Sequence, residues 1–231
     1  MPTRGAAIDA TLLVIAKAPT PGKVKTRLCP PCTPHEAARI AEAALTDTLA
    51  AVSEANVRRT VIALDGEAGP WLPENFVVIA QSDGGLDRRL AAAFAATFGT
   101  GSGPVLLVGM DTPQLTAEHL RAACAALIAP GCDAVLGLAD DGGWWSIGLH
   151  ARDDAVFLGV AMSEADTGAA QAARLHDRRL AVTELGILRD VDTFADAQMV
   201  SQLVPRSNFA RQVEIVAQRV TQAHAEHTEG R

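Results

Sequence analysis

Five short runs of uninterrupted apolar residues recur along the chain: Leu12-Leu13-Val14-Ile15-Ala16, Val61-Ile62-Ala63-Leu64, Phe76-Val77-Val78-Ile79, Val105-Leu106-Leu107-Val108 and Ala134-Val135-Leu136-Gly137-Leu138. Runs this short, with no polar alternation, are the pattern of strands buried on both faces. Helix-length segments lie between them. Thr33-Pro34-His35-Glu36 reads as a capping box with Pro in the first turn, opening an Ala-rich helix to about Ser53. Further helices are expected over 86–98, from Thr116 to about Ile128, over 164–175 and after Thr193. Trp144 to Leu149 and the Ala181-Val182 region read as additional strands. Strands alternating with helices imply an α/β fold, a mostly parallel sheet covered by helices on both faces.

The 231 residues contain no internal repeat, Ser-rich linker or composition break, so one domain is expected. Phe209, Val213, Val216 and Val220 recur at helical spacing, which predicts an amphipathic C-terminal helix over 207–221. Residues 1–10 read as a loose start, and the polar stretch Ala223–Arg231 as a frayed tail. A net charge of −7 disfavours a general nucleic-acid binder, and the absence of Tyr removes a stacking platform for single strands. No apolar run is long enough to span a bilayer, and a cytoplasmic protein without a membrane partner is expected. Cys29 and Cys32 form a C-x-x-C pair, but no second pair or nearby histidines complete a zinc site; reduced thiols are the simpler reading. The six histidines lack metal-ligand spacing, and no nucleophile elbow is present.

In such sheets ligands bind beyond the carboxyl ends of the strands, which selects the loops that matter. The first strand runs into a segment carrying Lys17, Lys23, Lys25 and Arg27, with Gly22 to turn the backbone. These are phosphate-gripping residue types in an otherwise acidic chain, though a solvated basic loop has the same composition. The spacing is not that of a Walker A loop. The fourth strand ends in Gly109-Met110-Asp111-Thr112-Pro113. Asp111 suits Mg²⁺, which takes one or two carboxylates plus phosphate and water, and it equally suits a turn before Thr-Pro. Asp190 and Asp192 are two apart and face one way if extended; Asp192 is the better metal candidate, being nearest the turn. Asp140-Asp141-Gly142-Gly143 reads as a turn or a ligand-approach loop, followed by Trp144 and Trp145 on opposite faces. Ser163, Thr167 and Gly168 open a helix that either binds an anion or is simply capped by Ser163.

Taken in order, these motifs resemble one family. Ala16-Lys17-Ala18-Pro19 with Pro21 to Leu28, Gly109 to Leu115, Asp140 to Leu149, Met162-Ser163 with Thr167-Gly168, and Asp190-Val191-Asp192-Thr193 resemble the DUF2064 glycosyltransferase-like proteins, relatives of the 2-phospho-lactate guanylyltransferases. The resemblance covers roughly residues 11–203. It implies a single-domain, Rossmann-like GT-A fold of the nucleotide-diphospho-sugar transferase superfamily; the helical spacing beyond it adds residues 204–222 as an amphipathic helix packed on that domain. It implies a divalent metal, Mg²⁺ or Mn²⁺, on Asp111 and Asp192. Nucleotide contacts fall on Ala16, Lys17, Gly22, Lys23, Lys25, Arg27, Gln81, Leu86 and Arg89, of which Lys17, Lys25 and Arg27 join Asp111 as the catalytic set. Acceptor contacts fall on Asp141, Gly142, Gly143, Trp144, Ser163, Thr167 and Gly168. The chain departs from the pattern at Met110, where Ser is usual, at Trp144, where Tyr is usual, at Ser146, and at Gly85, where Asp is common.

The expected activity is Mg²⁺-dependent nucleotidyl transfer from a nucleoside triphosphate to a small phosphorylated or carboxylated acceptor. Glycosyl transfer from a nucleotide sugar, and non-catalytic nucleotide binding, are the alternatives. A homodimer is compatible with the sequence, which does not fix the oligomeric state.

Overall fold

The computed structural model describes residues 6–229. Seven strands form one sheet: β1 (Ile8–Lys17), β2 (Val57–Asp65), β3 (Val77–Ala80), β4 (Val105–Val108), β5 (Ala134–Ala139), β6 (Trp144–Leu149) and β7 (Val182–Leu188). Their spatial order is β3-β2-β1-β4-β6-β5-β7. All neighbours are parallel except β6, which runs antiparallel to both β4 and β5. The antiparallel strand follows from its connection. β5 and β6 are joined by the tight Asp140–Gly143 turn, too short for the crossover that a parallel neighbour needs.

Each apolar run is split between two faces by the pleat. Leu12 and Val14 pack with α1 (Pro34–Glu54) and α3 (Ala117–Ile128) on one face. Leu13 packs on the other face with α2 (Leu86–Gly99) and with Leu175 of α4 (Thr167–Asp177). The Thr33–Glu36 capping box is closed in both directions at α1, which satisfies two of the orphan donors of its first turn.

A third layer covers the outer face of α1. There Ile40 and Ala44 meet α5 (Phe194–Leu203) and α6 (Asn208–Glu229). Phe209, Val213 and Val216 are at most 2% exposed, which contributes roughly 1.5–3 kcal/mol per side chain before entropy. Asp47 of α1 accepts hydrogen bonds from the backbone N–H of Asn208 and Phe209, at 3.3 and 2.8 Å, and so caps the start of α6. Among the described residues, no helix is long and apolar enough to cross a membrane.

Several boundaries differ from expectation. β1 begins at Ile8, inside the stretch expected to be loose, whose residues 1–5 lie outside the described residues. α6 continues to Glu229, so residues 223–229 extend the helix where a frayed tail was expected; 230–231 lie outside the described residues. The strand expected at 76–79 forms as β3, an edge strand with Val77 and Val78 exposed. β7 is the opposite edge and runs to Leu188, well beyond the short strand expected at 181–182. The polar residue in β6 is explained by its bond: Ser146 is fully buried and donates to the Leu107 carbonyl at 2.8 Å.

Candidate functional site

A cleft of about 850 Å³ opens at the carboxyl ends of β1, β4 and β7, beside the β5–β6 turn. Lys17, Lys25 and Arg27 reach it from the loop after β1, Asp190 and Asp192 from the segment after β7, and Asp141, Gly143 and Trp144 from the turn. The loop after β1 is held by buried Val24 and Leu28, between which Lys25 adopts a left-handed conformation at φ 48°.

The basic side chains are matched to carboxylates. Lys17 Nζ lies 3.5 Å from Asp65 Oδ2, at the end of β2. Lys25 Nζ lies 2.7 Å from Asp111 Oδ1 and donates to the Val191 carbonyl. Arg27 is 2.8 Å from Asp192 Oδ2. The backbone ties the same pieces together, since Val191 N–H donates to the Asp111 carbonyl at 3.0 Å. The basic loop, the end of β4 and the end of β7 therefore form one charged knot. The departure at Met110 is structural here: its buried thioether sulfur accepts the Lys17 backbone N–H at 3.3 Å.

Asp190 stands apart from the other carboxylates. Burial, then the neighbouring Asp111 charge, pushes its carboxyl up to about 7, with Lys25 opposing and Asp141 and Asp192 adding to the rise. Its Oδ1 is buried without a hydrogen-bond partner. An uncompensated buried acceptor of this kind is costly and asks for a cation or a proton. Among the described residues no three His, Cys, Asp or Glu side chains converge closely enough to hold a metal ion by themselves. The donor set nevertheless fits a small hard cation, because Mg²⁺ takes one or two carboxylates and completes its shell with water and phosphate. Asp111 and the orphaned Asp190 oxygen provide that minimum.

The opposite wall is locked by backbone. Gly142 sits at φ +91°, where a Cβ would fall 1.8 Å from the Ala165 carbonyl oxygen. Gly168 N–H donates to the Gly142 carbonyl at 2.8 Å, and a Cβ on Gly168 would meet the Gly143 oxygen at 2.6 Å. Asp141 Oδ1 accepts the Gly143 N–H at 2.8 Å. α4 begins at Thr167 rather than 164, and Ser163 lies outside it in the left-handed region at φ 63° without capping it. Two of the groups read as a possible anion site are engaged within the protein. The Thr167 hydroxyl donates to the Ala161 carbonyl and accepts from Glu164 N–H, and the Gly168 N–H is used by Gly142. Ser163 and Thr167 do line the cleft.

Three of the residues assigned to the nucleotide divide. Leu86 lines the cleft. Gln81 spends its amide bracing two strands, donating to the carbonyls of Ala16 at 2.8 Å and Ala63 at 3.0 Å, while Arg89 donates to its Oε1 at 3.0 Å. These two support the β1–β2 rim instead of facing the cleft. Ala16 is buried, and Gly22 and Lys23 sit on the outer, exposed part of the basic loop. Cys29 and Cys32 are unpaired, and burial pushes the Cys32 thiol up to about 12, which removes a reactive thiolate.

The sequence ranks Asp190 below Asp192 and does not single out Asp65, Ile15 or Leu90, of which the last two line the cleft. The signal for Asp65 was its place at the end of an apolar run. The signal for Asp190 is burial, which no spacing reveals.

Comparison with known proteins finds a family and a shared fold. The family described as "Uncharacterized protein conserved in bacteria (DUF2064)" matches residues 38–164. A protein from Desulfovibrio desulfuricans G20, provisionally described as a nucleotide-diphospho-sugar transferase, is 28% identical over 91% of this chain and 97% of its own, with a TM-score of 0.81. A cytidylyltransferase from Leptospira borgpetersenii serovar Hardjo-bovis is 12% identical over 93% of this chain and 96% of its own (TM-score 0.52). Rv0371c of Mycobacterium tuberculosis H37Rv, solved in complex with manganese, is 21% identical over 84% of this chain and 98% of its own (TM-score 0.52). The last two likenesses are of fold alone. No curated protein matches the chain significantly.

Proposed function

The chain belongs to the DUF2064 family, in the nucleotide-diphospho-sugar transferase superfamily, and on that premise we propose that it is a divalent-metal-dependent transferase acting on a nucleotide donor. The first reading is nucleotidyl transfer from a nucleoside triphosphate to a small phosphorylated or carboxylated acceptor, with release of pyrophosphate. One observation carries it: Lys17, Lys25, Arg27, Asp190 and Asp192 line a single cleft at the sheet mouth, and Lys25 joins Asp111 to its edge. Lys17, Lys25 and Arg27 grip the phosphates, with Arg27 able to take two oxygens at once. Asp111 and Asp192, with Asp190 beside them, would hold Mg²⁺ or Mn²⁺. The bound cation would supply charge compensation as negative charge builds on the phosphate oxygens. The glycine-built turn keeps the acceptor end rigid, and Trp144 offers it an apolar surface.

A second reading, glycosyl transfer from a nucleotide sugar, is favoured by a specific observation. Each cleft cation already faces a carboxylate, so the site carries less net positive charge than a triphosphate would call for. The description of the Desulfovibrio relative points the same way. Product analysis decides between them. Incubation with Mg²⁺, each of the four nucleoside triphosphates and a panel of small acceptors should release pyrophosphate under the first reading. Release of a nucleoside diphosphate from UDP- or GDP-sugars, with no pyrophosphate from any triphosphate, would replace it by the second.

A further inference from the structure

Lys25 engages one of the two carboxylate oxygens through which Asp111 would hold a metal ion. Its side chain is only 8% exposed, its ammonium sits 2.7 Å from Asp111 Oδ1, and it also donates to the Val191 carbonyl. Arg27 covers Asp192 in the same way. A bare divalent cation approaching Asp111 would meet this ammonium at contact distance, where like charges repel strongly in a partly desolvated site. A phosphate lifts the obstacle, because its oxygens give Lys25 and Arg27 replacement acceptors. The loop is suited to such an exchange. Val24 and Leu28 are buried on either side of Lys25 and fix the backbone, while Lys25 itself holds a left-handed conformation that a residue with a β-carbon does not favour. The loop backbone is thus anchored on both sides of Lys25, so an exchange of partners would fall on its side chain alone.

We propose that the cleft takes a preformed metal–phosphate complex as its ligand, and that Lys25 is an internal cation that keeps bare metal ions off Asp111 until phosphate draws it away. This rests on the functional reading above, whose donor would then enter as its metal chelate.

The test uses the whole protein and inorganic triphosphate, a probe independent of base and sugar. Calorimetric titrations with Mn²⁺ alone and with preformed Mn²⁺·triphosphate are made on the wild type, Lys25→Met and Lys25→Arg. The wild type should bind the complex well and Mn²⁺ alone poorly. Lys25→Met keeps the aliphatic stem and should bind Mn²⁺ alone about tenfold or more tighter, while losing affinity for the complex. Lys25→Arg keeps the charge and should behave like the wild type toward Mn²⁺ alone. Adding Asp111→Asn to Lys25→Met should abolish the gain. Equal Mn²⁺ affinity in the wild type and Lys25→Met overturns the inference, as does a gain that survives Asp111→Asn. If the wild type binds neither Mn²⁺·triphosphate nor any Mn²⁺·nucleoside triphosphate or Mn²⁺·nucleotide sugar, the functional reading fails as well. If it binds the complex and Lys25→Met shows no gain, only the role of Lys25 fails.

Discussion

The two walls of the cleft are built by different physics. The wall of the β5–β6 turn is fixed by steric fit: Gly142 and Gly168 bring backbone against backbone, and its hydrogen bonds join main-chain groups to one another and to the Asp141 and Thr167 side chains. The wall of the basic loop is fixed by charge: Lys17, Lys25 and Arg27 each rest on a carboxylate, and the Lys17 and Arg27 pairs are partly exposed while the Lys25 side chain is enclosed. A steric wall cannot rearrange without unfolding locally. An ionic wall can trade its partners for a ligand of matching charge at little cost, because exposed ion pairs contribute little to stability. The difference assigns rigid positioning to one side and ligand exchange to the other.

The comparison breaks most visibly at Gly142. Gly142→Ala would put a β-carbon on a residue at φ +91° and press it into the Ala165 carbonyl. A loss of roughly 3 kcal/mol or more in urea unfolding is expected from combined backbone strain and overpacking. A loss under about 1 kcal/mol would mean that this wall is not sterically locked.

Asp190 gives the next effect, between the two walls. Its carboxyl is raised to about 7 in the fold, against the ordinary low value in the unfolded chain. The stability it contributes is thus full below the unfolded-chain value and is lost as pH rises through about 7. Without divalent cations, Asp190→Asn should be more stable than the wild type at about pH 8, by roughly 2 kcal/mol, and the gap should close by about pH 4. Parallel unfolding curves across that range would contradict the buried, uncompensated carboxylate. The smallest effect belongs to the ionic wall. Arg27→Ala breaks a pair whose side chains are 70% and 45% exposed, so the unfolding midpoint should shift by less than about 0.5 kcal/mol while nucleotide binding weakens. A larger loss of stability would show that Arg27 serves the fold rather than the ligand.

Much of the steric framework was legible in the sequence because local rules dictate it. The apolar runs became strands, the Thr33–Glu36 box closed, and the Asp-Gly-Gly segment turned the chain tightly. The loops after β1 and β4 were legible as site loops from their place alone. What escaped depends on contacts between distant segments. Nothing local says that Lys25 reaches Asp111 and Val191, that Gln81 braces two strands, or that one Asp190 oxygen is buried without a partner while Asp192 is met by Arg27. β7 was under-read because an edge strand exposes most of its residues, leaving Val182–Leu188 without a continuous apolar run. The start of α4 was misplaced because Ser163 resembles a cap, yet takes a left-handed turn outside the helix.

Asp111 is the carboxylate through which the proposed metal–nucleotide complex would be held. Calorimetric titration of the wild type and Asp111→Asn with the Mg²⁺ complexes of the four nucleoside triphosphates and of UDP- and GDP-sugars tests this directly. Binding of at least one complex by the wild type is expected, with a loss of about a hundredfold or more in Asp111→Asn, since the variant keeps the shape and removes the charge. Equal affinity in the two proteins would contradict the assignment.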